Sequence, residues 1–371
     1  MRSGASRNRV PARGRDVTAS RTRSSGRVAT RLVIATCLGA ATFLFATVAV
    51  AQTWQALPNA PIADSRHEDV WFVDPLHGWV VDLTGDVHRT SDGGVSWRTT
   101  TIPSGFLRCV AFADTMRGWA GSLVPFTPLY ATTDGGVTWA PVDIQGPRVH
   151  GLCGLWVVGD SVVVGVGRYS GWPRFVRSVD GGRSWISRDL TTWARALVDC
   201  RFFSADSGFA VGSDDSSLTA GHAVVLWTGD GGATWERRHV GVQVGQWAWK
   251  ITFPTREVSY VSLESFQNYG SFLKSTDGGA HWSEGTFVRD RQQGIGFATE
   301  LVGWIGGSSF TVYGTHNGGV TWERDDFGVD VNSFHMLSDI LGYAVGRTVY
   351  KYARPTAIER RTVTAVKRLY R

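Results

Sequence analysis

The side chains best suited to chemistry in this chain are a scatter of carboxylates, arginines and histidines, and one acid that recurs at a regular interval. Cleavage of a glycosidic bond needs two carboxylates across the scissile bond, one as acid and one as base or nucleophile. Asp69, Asp199 and Glu264 occupy loop positions from which they could contribute. An anionic sugar would also require arginines on its carboxylate and a tyrosine beside a glutamate, roles open to Arg108, Arg148, Arg195, Tyr269 and Glu264. No spacing selects a pair, so no catalytic residue is expected. The nine histidines are scattered without an HxH or HExxH pattern, and the acid pairs at Asp214 and Asp325 read as solvated loops. Neither a metal nor a cofactor is expected from such spacing.

The recurring acid sits in the phrase "TSDGGVSW", Thr90 to Trp97. Aligned on the tryptophan, relatives end at Trp139, Trp185, Trp235, Trp282 and Trp322, at intervals of 42, 46, 50, 47 and 40 residues. Asp92, Asp134, Asp180, Asp230 and Asp277 can each fold back onto the backbone of their own turn, and Asn317 can do the same in the sixth copy. The paired glycines supply backbone angles that other residues resist, and the tryptophan packs over the hairpin or its neighbour. An acid occupied by its own turn is a poor catalyst, so the copies read as architecture.

A second phrase runs between the copies, as in "VWFVDPLHGWVV" at Val70 and "IGFATELVGWIGG" at Ile295, with a looser version at Leu155. Each reads as strand, short turn and strand. Seven such hairpins but six boxes are present; the last hairpin has no box after it, and "QTWQALP" at Gln52 has no hairpin before it. A period near 45 residues without helical patterning belongs to propeller blades. The expected fold is all-β, a seven-bladed β-propeller of four-stranded blades, closed by an N-terminal strand at Trp54 that joins the last blade near Tyr350.

The 45 glycines and 17 tryptophans suit such a turn-dense fold. The net charge of +6 is confined to the ends: nine arginines and one acid in 1–51, six basic residues and one acid in 354–371. Taking these from totals of 38 basic and 32 acidic residues leaves 23 and 30 for 52–353, a net of −7, which sets nucleic acid aside. The apolar run Leu32 to Ala51 ends in Ala-Val-Ala and reads as a signal peptide, or as a membrane anchor if uncleaved. Cys37 lies inside that run without the small residue that lipidation wants before it. Export to periplasm, thylakoid lumen or extracellular space leaves Cys109, Cys153 and Cys200, expected as buried free thiols with one disulfide as the alternative. The tail 354–371 is basic and reads as a frayed end or a short amphipathic helix.

The "S/T-x-D-x-G-x-x-W" copies resemble the Asp-box, or BNR, repeat of sialidases, sortilin-type receptors and several glycoside hydrolases. Combined with "F-x-D-x-x-x-G-W" hairpins and an export signal, the pattern over 52–353 is similar to the photosystem II assembly and stability factor family. That resemblance implies an exported, non-catalytic, monomeric scaffold that binds and stabilises a membrane-complex subunit. A carbohydrate-active propeller, hydrolase or glycan-binding module, is the alternative; the chain lacks the early "R-I-P" signature of sialidases. The face expected to meet a partner is built from loops entering the innermost strands and loops between second and third strands. These carry Arg108, Arg148, Arg168, Arg174, Arg195, Arg289 and Arg291 with Trp172, Trp247 and Trp249. Arginine and aromatic side chains on a rigid face fit a protein or glycan surface, although some of the tryptophans could instead plug gaps between blades.

Overall fold

Short runs of β-branched and small residues, each interrupted by a turn, pair with their immediate successors because a two- to five-residue connection allows little else. The structure, a computed structural model, describes residues 53–353 except 104, 267–269, 289–290, 308–310 and 326. The expected leader at 1–51 and tail at 354–371, with Tyr269 and Arg289, lie outside the described residues.

Seven four-stranded antiparallel sheets form the blades. Blade 1 comprises His67–Phe72, Gly78–Asp82, Asp86–Thr90 and Arg98–Thr101. Blades 2 to 6 span 107–141, 154–189, 196–240, 246–288 and 294–325. Blade 7 takes three strands from 333–353, and its fourth is Thr53–Ala56 from the other end of the chain. Trp54 pairs with Tyr352 and Ala56 with Tyr350, closing the ring as expected. The innermost strand Leu107–Phe112 is buried along its length, whereas the outermost strand Arg98–Thr101 is largely exposed.

The inner-hairpin phrase explains how blades stack. Phe72 lies over Gly78 of its own hairpin, where any Cβ would come within 2.3 Å of the ring. Its other side stacks on Tyr343 of blade 7 at 3.5 Å. The same sandwich recurs as Trp79 on Phe112 (3.5 Å) and Tyr260 on Phe297 (3.6 Å), so each ring is shared between adjacent blades.

The boxes join third and fourth strands. In the second copy Asp134 Oδ1 accepts the Val137 and Thr138 N–H groups at 3.0 and 2.9 Å, and Thr138 Oγ1 donates to Oδ2 at 2.6 Å. Thr132, two residues before the acid, donates to it and accepts the Gly136 N–H at 2.9 Å. Gly135 and Gly136 have φ of 73° and 85°, in the left-handed region that favours glycine. A Cβ at Gly136 would press the Trp79 ring of the preceding blade at 3.2 Å, and Trp79 Nε1 donates to Gly135 O at 2.9 Å. Box and inner turn share one face of the ring, since the Gly135 N–H bonds Met116 O. That face is called the box face below, and its opposite the loop face.

Candidate functional site

The innermost strands place one residue from each blade at successive depths along the axis. Nearest the loop face is a network of charges. Arg66 Nε donates to Glu68 Oε1 at 3.0 Å and its Nη1 to Gln293 Oε1, while Gln293 Nε2 donates to Glu264 Oε2 at 3.0 Å. Arg108 pairs with the other Glu68 oxygen and lies 5.5 Å from the Trp249 ring centroid. Burial pushes the Glu264 carboxyl above its usual range, with the Gln293 hydrogen bond and nearby arginines pulling it back. Burial also lowers the affinity of Arg66 and Arg108 for their protons.

One layer deeper, Lys250 Nζ lies 3.8 Å from both Asp69 Oδ1 and Asp199 Oδ1. Burial opposes the lysine's charge, but Asp199 and Asp69 together raise its pKa. Both carboxylates are already engaged across blade boundaries: Asp69 accepts the Val110 N–H at 3.0 Å and the Ser333 hydroxyl at 2.7 Å, Asp199 the Ile251 N–H at 3.1 Å. Below them Trp71 and Trp156 meet edge to face at 5.0 Å, with Arg201 stacked 4.0 Å from Trp156. The cavity beside Asp69, Asp199 and Lys250 is about 40 Å³, room for a water and far less than a sugar ring needs, and a second of about 220 Å³ is lined by Arg201, Phe334 and Met336. Asp69 and Asp199 therefore tie neighbouring blades together beside a cavity too small for a sugar ring, and Glu264 is bonded to Gln293 of the next blade.

The arginines expected on the loop face divide by depth. Arg108 and Arg174 are 4% and 5% exposed, and Trp247 and Trp249 are 0% and 6% exposed. The strand Gln246–Thr252 already includes both tryptophans, so they fill the interior beside Cys153, Ala196 and Val198 rather than a loop. Trp172 is 60% exposed and stands at φ 56°, a strained conformation for a bulky residue. Arg148, Arg195 and Arg291 are exposed and Arg168 half-buried.

Four of these residues, Arg148, Arg168, Trp172 and Arg174, come together over blades 2 and 3. Arg148 lies over Phe126 with its guanidinium carbon 4.5 Å from the ring centroid, and the His150 and Trp172 rings meet tilted at 34°, their centroids 5.6 Å apart. Buried Arg174 holds the segment between them, donating to Arg148 O at 3.1 Å, while Arg168 donates to His150 O at 3.3 Å. Phe126, 83% exposed, borders a groove of about 410 Å³ lined by Pro125, Pro128, Val142, Ile144 and Val149. Sequence reading passed over Phe126, although "VPFTPL" sets it between two prolines in a loop joining second and third strands. Arg291 packs separately, 4.7 Å from the Phe266 ring.

A seven-bladed ring with arginine and aromatic side chains paired on its loop face can be compared with known proteins. No protein-family model matches the chain. The photosystem II assembly lipoprotein Ycf48 of Synechococcus sp. (strain CC9902) is 26% identical over 283 residues, 70% of this chain and 75% of that protein. This chain resembles the Ycf48 photosystem II assembly factors. The solved structure of YCF48 bound to D1 peptide superposes with a TM-score of 0.61 at 18% identity, covering 82% of this chain and 97% of that one. YCF48 from Cyanidioschyzon merolae gives 0.61 at 18% identity, covering 81% and 99%. A xyloglucanase from Xanthomonas campestris superposes less closely, at 0.52 and 10% identity, covering 79% of this chain and 59% of that one. Such likeness is one of fold.

The three cysteines of the propeller, Cys109, Cys153 and Cys200, are buried free thiols. Burial raises all three pKa values, so these thiols are poor nucleophiles.

Proposed function

We propose that the protein is an exported, non-catalytic scaffold whose loop face holds a segment of a membrane-complex subunit. The observation that carries this reading is the pairing of Arg148 with exposed Phe126 and of His150 with exposed Trp172 beside a groove of mixed polarity. Rigid rings backed by cations anchor extended peptides that carry apolar and anionic groups. The partner class comes from similarity: the Synechococcus relative is a photosystem II assembly lipoprotein, and a similar propeller was solved bound to D1 peptide. In a photosynthetic host the partner is a photosystem II subunit. Export rests on the apolar run Leu32 to Ala51 and on the lipoprotein relative. The absence of catalysis rests on the axis, where each carboxylate is held by Lys250, Gln293 or a neighbouring blade.

The test is titration of the full-length protein with D1 peptide and with subunits captured from the host envelope or lumen. Reversing the charge of Arg148, Arg168 and Arg195 together is expected to weaken binding at least roughly tenfold, with stability changed by less than about 1 kcal/mol. Arg108→Ala is the contrast. It removes one of the two guanidinium partners of buried Glu68, leaving Arg66, and is expected to cost about 1–3 kcal/mol of stability. Unchanged affinity in the triple variant would move docking off this face.

A further inference from the structure

Blade 1 holds a cluster of donors that the docking reading does not use. His67 pairs directly opposite Asp82, and His88 pairs opposite Val80, two residues along the same strand. Side chains alternate between the faces of a strand, so this register brings all three to one face. They are 0%, 5% and 7% exposed. Asp82 Oδ1 is fixed by the turn that follows, accepting the Thr84 N–H at 2.9 Å and the Thr84 hydroxyl at 2.5 Å. Its second oxygen faces the imidazoles, 3.7 Å from His67 Nδ1 and 3.5 Å from His88 Nε2.

The hydrogen bonds around the rings fix what those nitrogens offer. His67 Nε2 lies 3.1 Å from Pro61 O, and a carbonyl only accepts, so Nε2 carries the hydrogen. Neutral His67 then presents a bare lone pair at Nδ1, which is buried and has no hydrogen-bond partner. It points at a carboxylate oxygen, an arrangement of two acceptors that only a proton or a cation between them relieves. His88 Nδ1 is 2.8 Å from Thr99 Oγ1, and donation to that hydroxyl frees Nε2 to ligate. We propose that His67, Asp82 and His88 bind one divalent cation of the zinc class. Tetrahedral zinc with bonds of about 2.0–2.1 Å sets ligand atoms about 3.3 Å apart, so each imidazole nitrogen needs to approach the Asp82 oxygen by only a few tenths of an ångström, and all three atoms already lie within 4.8 Å of one another. Two imidazoles and a single carboxylate select against calcium and magnesium, which want six or more oxygens.

The position gives the ion a purpose. Pro61, which holds His67, also accepts the Thr348 hydroxyl at 3.1 Å, and the His67 N–H bonds Gly346 O at 2.8 Å. An ion here would tie three strands of blade 1 together beside the seam where blade 7 meets it. Spacing in the sequence hid the site, because its ligands are neighbours only across the sheet.

The experiment strips the full-length protein with a chelator and titrates Zn²⁺ in competition with a chromophoric chelator. One equivalent is expected, with a zinc-dependent rise in the thermal midpoint. Asp82→Asn and His88→Gln should each weaken binding about 100-fold or more and abolish that rise, while exposed His281→Ala changes neither. Cobalt(II) provides an independent readout: its visible ligand-field bands should appear with the wild type and vanish with His88→Gln, which can still bond Thr99. No competition at micromolar Zn²⁺, or equal stoichiometry in wild type and His88→Gln, overturns the proposal.

Discussion

Asn317 stands where five other boxes carry aspartate, and the comparison reveals what the acid does. Asn317 Oδ1 accepts the Thr321 N–H at 2.9 Å, as Asp134 accepts Thr138, but its Nδ2 donates to the Thr321 hydroxyl at 2.7 Å where Asp134 accepts. The turn survives the loss of charge because the hydroxyl can reverse its role. The aspartates thus shape a hairpin, and their hydrogen bonds to Thr138 hold Asp134 down at about 2. A carboxyl whose folded pKa lies below its unfolded value of about 3.9 stabilises the fold above that value and loses the contribution as pH falls through about 2. Asp134→Asn should accordingly lower stability by no more than about 1 kcal/mol at neutral pH, with partner binding intact. Thermal midpoints of the two proteins should converge between pH 4 and pH 2; a difference that persisted or widened there would deny the carboxylate this role.

At the scale of elements, ring closure rests on one short strand, Thr53–Ala56, anchored by one indole. Trp54 is 7% exposed, stacks on Phe327 at 4.9 Å and meets Trp304 edge to face at 5.3 Å. Replacing it with alanine removes a buried aromatic from the strand that completes blade 7, at an expected cost of about 3–5 kcal/mol. Unfolding of Trp54→Ala should begin in blades 7 and 1, read as early loss of amide protection in 333–353; uniform protection loss around the ring would contradict a closure role. This joint was legible in the sequence because a hairpin without a box and a box-like tryptophan without a hairpin complement each other. The packing of the inner phrase was legible for the same reason: Phe72, Gly78 and Trp79 keep their spacing in most blades. Loops carry no such period. Trp247 and Trp249 look like loop aromatics until the strand Gln246–Thr252 draws them inside, and Arg108 looks like a surface cation until Glu68 captures it. His67, Asp82 and His88 escape notice because register, which the sequence does not spell out, makes them neighbours.

Across the whole molecule the charge is divided between the faces. Asp74, Asp114, Asp160 and Asp206 lie in the inner turns, and the five box aspartates share that side, so the box face is acidic among the described residues. Arg148, Arg168, Arg195 and Arg291 lie on the opposite side, where they share the loops with Asp143, Asp214, Asp215 and Asp330, in a body whose net charge is −7. An anionic segment would be turned toward the loop face before contact, since exposed charges act over about a Debye length, 8–10 Å at ordinary ionic strength. Steering acts on the association rate, whereas in the proposed docking the pairs Arg148–Phe126 and His150–Trp172 would hold the bound state. Raising salt from about 0.05 to 0.5 M should slow association with the partner roughly tenfold and change dissociation much less. In the variant with Arg148, Arg168 and Arg195 reversed, the slope should flatten or change sign, because acidic residues would then meet the anionic partner on both faces. A salt-independent association rate in the wild type, measured by stopped flow or surface plasmon resonance, would mean that the rings alone recruit the partner and that the arginines only support them.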